Sequence, residues 1–490
     1  MPARDAEPFP AAVLDALETA GDRPVFEHGS RVVTGAELLD LVARIAAGLR
    51  REGLGPGDGV ALLLGVDPEA FAMILAAHTV GARVLGVRPG LPDDQVRHLL
   101  GLDIAAVVTD PDVARAATVD PDRTRVLTVD SLRGARADGR PRCAGRPADV
   151  ARLIHTSGST GAPKACAQTY AAMTGAWAAR PDAWPPAIRE LASRLDRFLV
   201  FGSLSSQVMF EYAVVTIAAG GTAVVADQPG FPDAITRHRA SASVITVPRL
   251  AKLVAAQRRD PADLSSLRAL MVSGSPLTAD RHREALDVLG PVLFHGYGQT
   301  ETSMISMATP ADPPGTVGTP PAAVRVEVRG PDGGPVPPGV DGELFVRTPA
   351  QADGYWADPA RSAEVFADGW VRTRDLGHFD AAGHLLLTGR ARDVVIVNAN
   401  LHYAGPIERV LAEHPDVAEA YVVAVPDEDT GEAVHAFVVP SGDRAPELAA
   451  LREWVTARLG AACAPVRVTA IEEPPLAPSG KPDKRLLSAP

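Results

Sequence analysis

Cysteine is scarce in this chain. Only three occur among 490 residues, Cys143, Cys166 and Cys463, an odd number at spacings that fit neither a zinc site nor a disulfide framework. A reducing, cytoplasmic setting is expected. Positive charge is also short: 48 Lys and Arg against 60 Asp and Glu leave a net charge of -12. A broad basic surface is thereby excluded, and neither nucleic acid nor an anionic membrane is expected as a partner. Long apolar runs are missing too, since Gly59–Gly65 and Tyr212–Ala226 are broken by glycine or charge well before the roughly 20 residues of a membrane span. The first residues, MPARDAEPFP, are polar and acidic where a signal peptide is basic and then apolar. No repeat of solenoid period is present.

What is present is alternation. Gly59–Leu64 and Arg83–Val87 read as buried strands, and Pro68–Val80 and Pro92–Leu100 as amphipathic helices. The same rhythm returns at Phe198–Gly202, Met209–Ala219, Thr222–Ala226, Phe231–Arg239 and Val244–Val247. An α/β fold of parallel-rich, helix-covered sheets is predicted. After Gly315 the pattern changes. Runs at Ala323–Arg329 and Glu343–Arg347 flank the turn-rich PDGGPVPPGVDG and predict a small antiparallel β subdomain. Beyond Asp393, a helix near Pro406–Glu413, strands at Val417–Val425 and Ala433–Val439, a helix at Pro446–Leu459 and a strand at Val466–Ile471 predict an α+β module of about a hundred residues. The expected division is 1–392 and 393–490.

The densest chemistry lies in His155-Thr-Ser-Gly-Ser-Thr-Gly-Ala-Pro-Lys164, directly after the strand-like run Val150–Ile154. Glycines let backbone amides turn toward an anion, hydroxyls add neutral donors, and Lys164 adds a point charge. Thr156, Ser157, Gly158, Ser159, Thr160 and Gly161 therefore read as a phosphate-binding loop. The Walker order does not fit, because here the hydroxyls precede a Pro-Lys pair. A plain Ser/Gly turn is the alternative for this loop taken alone.

With this loop the chain resembles the adenylate-forming superfamily of acyl-CoA synthetases, nonribosomal-peptide adenylation domains and luciferases. Gly296-Tyr-Gly-Gln-Thr-Glu301 is similar to its second signature. The resemblance implies that Tyr297 stacks on adenine, Thr300 contacts the α-phosphate and Glu301 holds magnesium; an aromatic face, a hydroxyl and a hard oxygen ligand suit those tasks. Ser273-Gly-Ser-Pro276 is similar to the turn forming the other adenine wall, which brings in Gly274 and Ser275. Thr373-Arg-Asp-Leu-Gly377 resembles a TGDLG stretch in which the aspartate, here Asp375, binds both ribose hydroxyls. Arg374 stands where the family has glycine. Gly342–Arg347 and Gly354-Tyr-Trp356 match stretches read as scaffold, with Trp356 and Trp370 as packing residues.

Gly389-Arg-Ala-Arg-Asp393 resembles the family's GRxxD, so Arg390 inherits a nucleotide contact and Asp393 the hinge of a mobile C-terminal domain. The following stretch to Glu408 is closer to the fatty acyl-AMP ligase form than to the CoA-synthetase form, with Ala399 and Pro406 as departures and His402 read as an anchor. Pro478-Ser-Gly-Lys-Pro-Asp-Lys-Arg485 resembles the C-terminal signature and makes Lys481 the adenylation lysine, whose ammonium offsets repulsion between carboxylate and phosphate. Tyr170 replaces a common histidine.

The resemblance implies an enzyme that uses ATP and Mg2+ to convert a small-molecule carboxylic acid into its acyl- or aryl-adenylate, releasing pyrophosphate. Transfer to a carrier-protein thiol, CoA or another nucleophile follows, with Lys164, Thr300, Glu301 and Lys481 catalytic. The stretch matching the acid pocket, Gly202–Met209, has no aspartate, which disfavours an α-amino acid; Ser205, Ser206 and Gln207 are the candidate pocket residues, or else cap a turn. Two alternatives stand beside this reading: a degenerate relative that binds an adenylate or nucleotide without making one, and an enzyme for a non-carboxylic oxyacid.

Overall fold

A computed structural model describes residues 7–88, 91, 93–110, 124–137, 139–156, 164–176, 178, 180–226, 230–274, 277–391, 393–398, 400–427, 429–442, 445–476 and 482–487. Within these the fold is α/β, with two large sheets packed through a shared layer of helices. One sheet has eight strands in the order Ser303–Ala308, Leu293–Gln299, Ala269–Val272, Ala242–Ile245, Arg197–Val200, Thr222–Val225, Pro24–His28, Arg31–Thr34, parallel except at its two ends. The other has seven, in the order Gly354–Tyr355, Lys164–Thr169, Val150–Thr156, Arg83–Gly86, Gly59–Leu63, Ala106–Thr109, Arg125–Leu127. Its strands from Val150–Thr156 onward are parallel, and the two before it antiparallel.

Period-two side-chain placement explains why both sheets read as continuous apolar runs. Val60 and Leu62 point into the central core, whereas Ala61 and Leu63 join a separate cluster on the far face. In the same way Phe198 and Val200 face the central core and Leu199 the opposite cluster. Helix Pro68–Thr79 fills the layer between the sheets and is buried along its whole length. Helix Gly35–Arg51 is started by a capping box, with Thr34 and Glu37 exchanging bonds. It buries Leu38, Leu41, Val42, Ile45 and Leu49 at helical spacing.

The β subdomain is larger than the sequence suggested. Arg325–Arg329 and Gly342–Arg347 are joined by Phe366–Ala367, Trp370–Phe379 and Leu385–Arg390 in one antiparallel sheet. Strand Trp370–Phe379 shows no clean apolar alternation, because the polar Thr373 and Asp375 take buried positions in it. The C-terminal unit has its own core, including Val395, Ile407, Leu411, Val434 and Leu451. Its sheet runs Asn400–Tyr403, Val394–Val397, Gly431–Pro440, Val417–Asp427, with Arg467–Ala470 parallel to Gly431–Pro440. Tyr170 is a core residue, donating to the carbonyls of His78 and Ala82 at 3.1 and 2.8 Å. Trp356 and Trp370 pack under arginines: Arg83 over the first, Arg329 and Arg347 over the second.

No helix among the described residues is long and apolar enough to cross a membrane. The carboxyl ends of the parallel strands lead into Arg88, Phe201, Thr246, Ser273 and Thr300, and such ends are where open α/β sheets take ligands.

Candidate active site

Five consecutive residues, Tyr297 to Glu301, touch two polar clusters. In the first, Oδ2 of Asp375 accepts from Tyr297 Oη at 2.9 Å and from Gln299 Nε2 at 2.6 Å, while Oδ1 accepts from Arg390 Nε at 3.1 Å. Asp375 is buried, and its amide donates to Thr373 Oγ1 at 3.1 Å. The Tyr297 ring is 6% exposed and packs with Ile305, Val317 and Leu344; burial, with Asp375 beside it, pushes the phenol well above its ordinary pKa. Strand Trp370–Phe379 carries Asp375, and its neighbour Leu385–Arg390 delivers Arg390 directly opposite. Gln299 was quoted in the sequence motif without a role; here it stands beside Tyr297 in holding the carboxylate.

The second cluster brings Lys164 and Glu301 onto Tyr355, which the sequence marks only as scaffold. Tyr355 Oη donates to Glu301 Oε1 at 2.7 Å, and Lys164 Nζ lies 4.7 Å from the centre of the Tyr355 ring. Burial and the Glu301 carboxylate both raise the phenol pKa, so Tyr355 is a fixed donor. Its strand pairs with Lys164–Thr169, setting Tyr355 opposite Cys166. Cys166 Sγ in turn lies 3.7 Å from the Thr300 carbonyl, and burial pushes that thiol well up.

Glu301 fits a hard cation. Oε1 accepts a hydrogen bond from Tyr355 Oη, and Oε2 has no partner among the described residues. No group of three His, Cys, Asp or Glu able to hold a metal occurs among them.

In the serine stretch, Ser206 is the N-cap residue of helix Gln207–Ala218, yet its side chain makes no capping bond, and Ser203 and Ser206 line an open cleft of about 1660 Å3. Gln207 Nε2 donates to Glu211 Oε1 at 2.8 Å and to Ser303 Oγ at 3.0 Å. Glu211 is itself paired with the deeply buried Arg152 at 3.2 Å. Ser205 abuts Gly86, where a Cβ would come within 2.4 Å of the Ser205 Cβ, so the serine loop and the end of strand Arg83–Gly86 form one wall.

At the start of the C-terminal unit, Asp393 Oδ2 and Glu408 Oε1 accept from Lys484 Nζ at 2.7 and 2.6 Å. Burial opposes the ammonium, but the two carboxylates outweigh it and raise the Lys484 pKa. His402 Nδ1 lies 3.3 Å from Cys463 Sγ. Arg374 has φ of 61° and pairs with Glu364 at 2.9 Å. Gly274 closes strand Ala269–Val272 with φ of 101°. Thr156 ends strand Val150–Thr156 directly opposite Lys164. Ser157, Gly158, Ser159, Thr160, Gly161, Ser275, Ala399 and Lys481 lie outside the described residues.

The AMP-binding enzyme family matches residues 14–356, and the AMP-binding enzyme C-terminal domain matches residues 406–481. Feruloyl-CoA synthase of Amycolatopsis sp is 32% identical over 93% of this chain and 93% of its own length. A fatty acid–[acyl-carrier-protein] ligase, ScoC of Streptomyces coeruleorubidus, is 30% identical over 92% and 90%. The solved structure of the amide bond synthetase McbA from Marinactinospora thermotolerans is 35% identical, covers 98% of this chain and 99% of that one, and superposes with a TM-score of 0.86.

Proposed function

The chain belongs to the AMP-binding enzyme family and is an AMP-forming acid ligase, and from that premise we propose how its residues divide the work and where the activated group goes. The observation that carries the reading is the meeting of Lys164 and Glu301 on Tyr355, one motif away from the Asp375 cluster.

ATP lies with its ribose hydroxyls on Asp375 and its adenine between Gly274–Ser275 and the Tyr297 side of the Asp375 cluster, with Arg390 nearby. The loop Thr156–Gly161 and Lys164 take the phosphates. Mg2+ held by Glu301 neutralises phosphate charge when bound. The acid enters past Ser205, Ser206 and Gln207, and its carboxylate oxygen attacks the α-phosphorus in line, forming the acyl C–O–P linkage as pyrophosphate leaves. Thr300 and the Lys481 ammonium stabilise the charge that builds on the α-phosphate. No covalent enzyme intermediate is required. The C-terminal domain, 393–490, then turns about Asp393 for the second step, in which a nucleophile attacks the acyl carbon and AMP leaves. The acceptor is a carrier-protein thiol or an amine ahead of free CoA, consistent with the Asn398–Glu408 loop and with similarity to an amide bond synthetase. The site belongs in a reducing, cytoplasmic setting.

The test is Lys481→Ala, assayed by acid-dependent exchange of labelled pyrophosphate into ATP across a panel of carboxylic acids and other oxyacids. Exchange should fall by about a thousandfold, the scale of removing one charge-stabilising group, while ATP still binds by calorimetry. Undiminished exchange would remove Lys481 from the reaction.

A further inference from the structure

Arg88 follows strand Arg83–Gly86 by two residues and lines the same cleft as Phe201, Ser203 and Ser206. Its guanidinium makes no hydrogen bond or ion pair with any described residue. Two other deeply buried cations among the described residues are paired: Arg152 with Glu211 and Gln168, and Lys484 with Asp393 and Glu408. Burial, with no acidic group among the described residues to offset it, holds the Arg88 guanidinium below its ordinary pKa. Beside it His155 is drawn down to about 4 by burial and by Arg88, so its imidazole is neutral, and its Nε2 is buried without a partner. A half-buried fork of five donors on the cleft wall beside the serine loop, with an orphaned ring nitrogen near it, forms a site suited to an anion.

We propose that Arg88, with His155, is an anion-binding end of the acid-side pocket and selects a small molecule bearing a carboxylate that is not the one being activated. Such a carboxylate has two sources: the far end of a dicarboxylic acid, or an amino acid serving as acceptor. The carboxylate being adenylated is committed to the α-phosphate, so it does not satisfy Arg88. A planar carboxylate accepts two parallel bonds from a guanidinium, which a neutral acid end cannot do. This inference rests on the adenylation reading and refines it toward a substrate class.

The test compares wild type with Arg88→Met, which keeps the length and removes the charge, and with Arg88→Lys. Pyrophosphate exchange is measured with matched pairs, heptanoate against pimelate and cinnamate against 4-carboxycinnamate; amide formation is measured with phenethylamine against phenylalanine. If the diacid is the source, KM for the dicarboxylic member rises tenfold or more in Arg88→Met, kcat and the monoacid KM hold, and Arg88→Lys falls between. If the acceptor is the source, acid KM values hold and the preference for phenylalanine over phenethylamine is lost. Unchanged preference in both series overturns the proposal. Melting is read alongside: Arg88→Met should melt above wild type, because an uncompensated buried charge is gone, and pimelate or phenylalanine should raise the melting point of wild type but not of the variant. A lower melting point with ligand shifts intact would make Arg88 a packing residue. Should Arg88→Met not fold, Arg88→Lys carries the same comparison, an unaltered preference again being fatal. Absence of exchange with every acid would sink the adenylation reading, while the melting shifts still judge the anion site.

Discussion

Tyr355 donates its phenolic proton to Glu301 Oε1 at 2.7 Å while its ring lies 4.7 Å under the Lys164 ammonium. One side chain thus positions both the carboxylate proposed to hold magnesium and the cation proposed for the phosphates. Tyr355→Phe removes the hydroxyl and keeps the ring. Groups that orient a metal ligand by hydrogen bonding typically change metal affinity by about 10- to 100-fold when removed, so the Mg2+ concentration for half-maximal pyrophosphate exchange should rise about tenfold. Stability should fall by only about 1 kcal/mol. A titration of exchange against Mg2+ decides; an unchanged midpoint would make Tyr355 scaffold after all.

Arg374 has φ of 61°, in the left-handed region where a side chain costs roughly 1–2 kcal/mol and glycine nothing. That accounts for the glycine its relatives carry, independently of any contact with ribose. Arg374→Gly relieves the strain, loses a pair with the largely exposed Glu364 worth about 0–1 kcal/mol, and adds backbone freedom to the unfolded chain of about 0.5–1 kcal/mol. Its melting temperature should stay close to wild type, and its KM for ATP should not move. Arg374→Val, β-branched in the same conformation, should melt several degrees lower. A large rise in ATP KM in the glycine variant would give the guanidinium a nucleotide role.

These residues also mark the reach of sequence reading. Tyr297, Thr300, Glu301, Asp375 and Arg390 sit in short motifs whose residue types announce their chemistry. The layered sheets were legible because strands buried on both faces leave unbroken apolar runs, as at Gly59–Leu63. Tyr355 was not legible: its reach to Glu301 depends on a two-residue strand pairing antiparallel with Lys164–Thr169, and no local pattern encodes a partner so distant in the chain. Lys484 was hidden similarly, since a lysine in a basic tail gives no sign that Asp393 and Glu408 await it. Gln207 was assigned to the acid pocket by matching; its amide protons are committed to Glu211 and Ser303, which only the packed helix could reveal.

Lys484→Met should weaken the C-terminal unit. The variant leaves buried Glu408, whose pKa burial already raises, with the Val422 amide but without its cation, and removing one partner of a buried pair costs about 3–5 kcal/mol. Adding Glu408→Gln should recover part of the loss. Because Asp393 is the proposed hinge, overall ligation should suffer more than pyrophosphate exchange. Urea unfolding of both variants, with the two half-reactions assayed separately, checks each arm.

Acid should unfold the protein partly through His78. This imidazole is fully buried between Phe9 and Tyr170, and burial, then Arg152, lowers it to about 3. Its folded pKa lies below the unfolded value of about 6.5. The unfolded chain therefore binds the proton first, and the stability His78 contributes is fully present above about pH 6.5 and lost as pH falls toward 3. The slope across that window is about 1.4 kcal/mol per pH unit for one proton. His78→Phe should flatten the acid limb of a stability profile by that one proton, and an unaltered limb would mean that His78 already titrates in the folded state.

The acceptor can be predicted from the hairpin at the start of the C-terminal unit. Asn398, with φ of 51°, begins the turn between Val394–Val397 and Asn400–Tyr403. Behind it His402 Nδ1 lies 3.3 Å from Cys463 Sγ, and Gly405 packs so tightly on Gly389 that a Cβ would meet the Gly389 Cα at 2.6 Å. The histidine contact ties this hairpin to its own unit, while the Gly405–Gly389 approach sets the helix that follows it against the β subdomain. In CoA-using relatives the resemblance makes the matching loop a wall of the pantetheine tunnel, and this one departs from their sequence there. On the proposed reading free CoA has little to hold its arm, whereas an amine needs only to reach the acyl carbon, and a carrier protein brings its own docking surface. Enzyme, ATP, the preferred acid and either CoA or an amine should be mixed and the products followed by mass. Amide should form readily while thioester lags at least tenfold at equal concentration, the scale of about 1.4 kcal/mol in transition-state binding. Thioester forming as fast as amide would show that the tunnel survives the changed side chains, because a channel lined by backbone tolerates them.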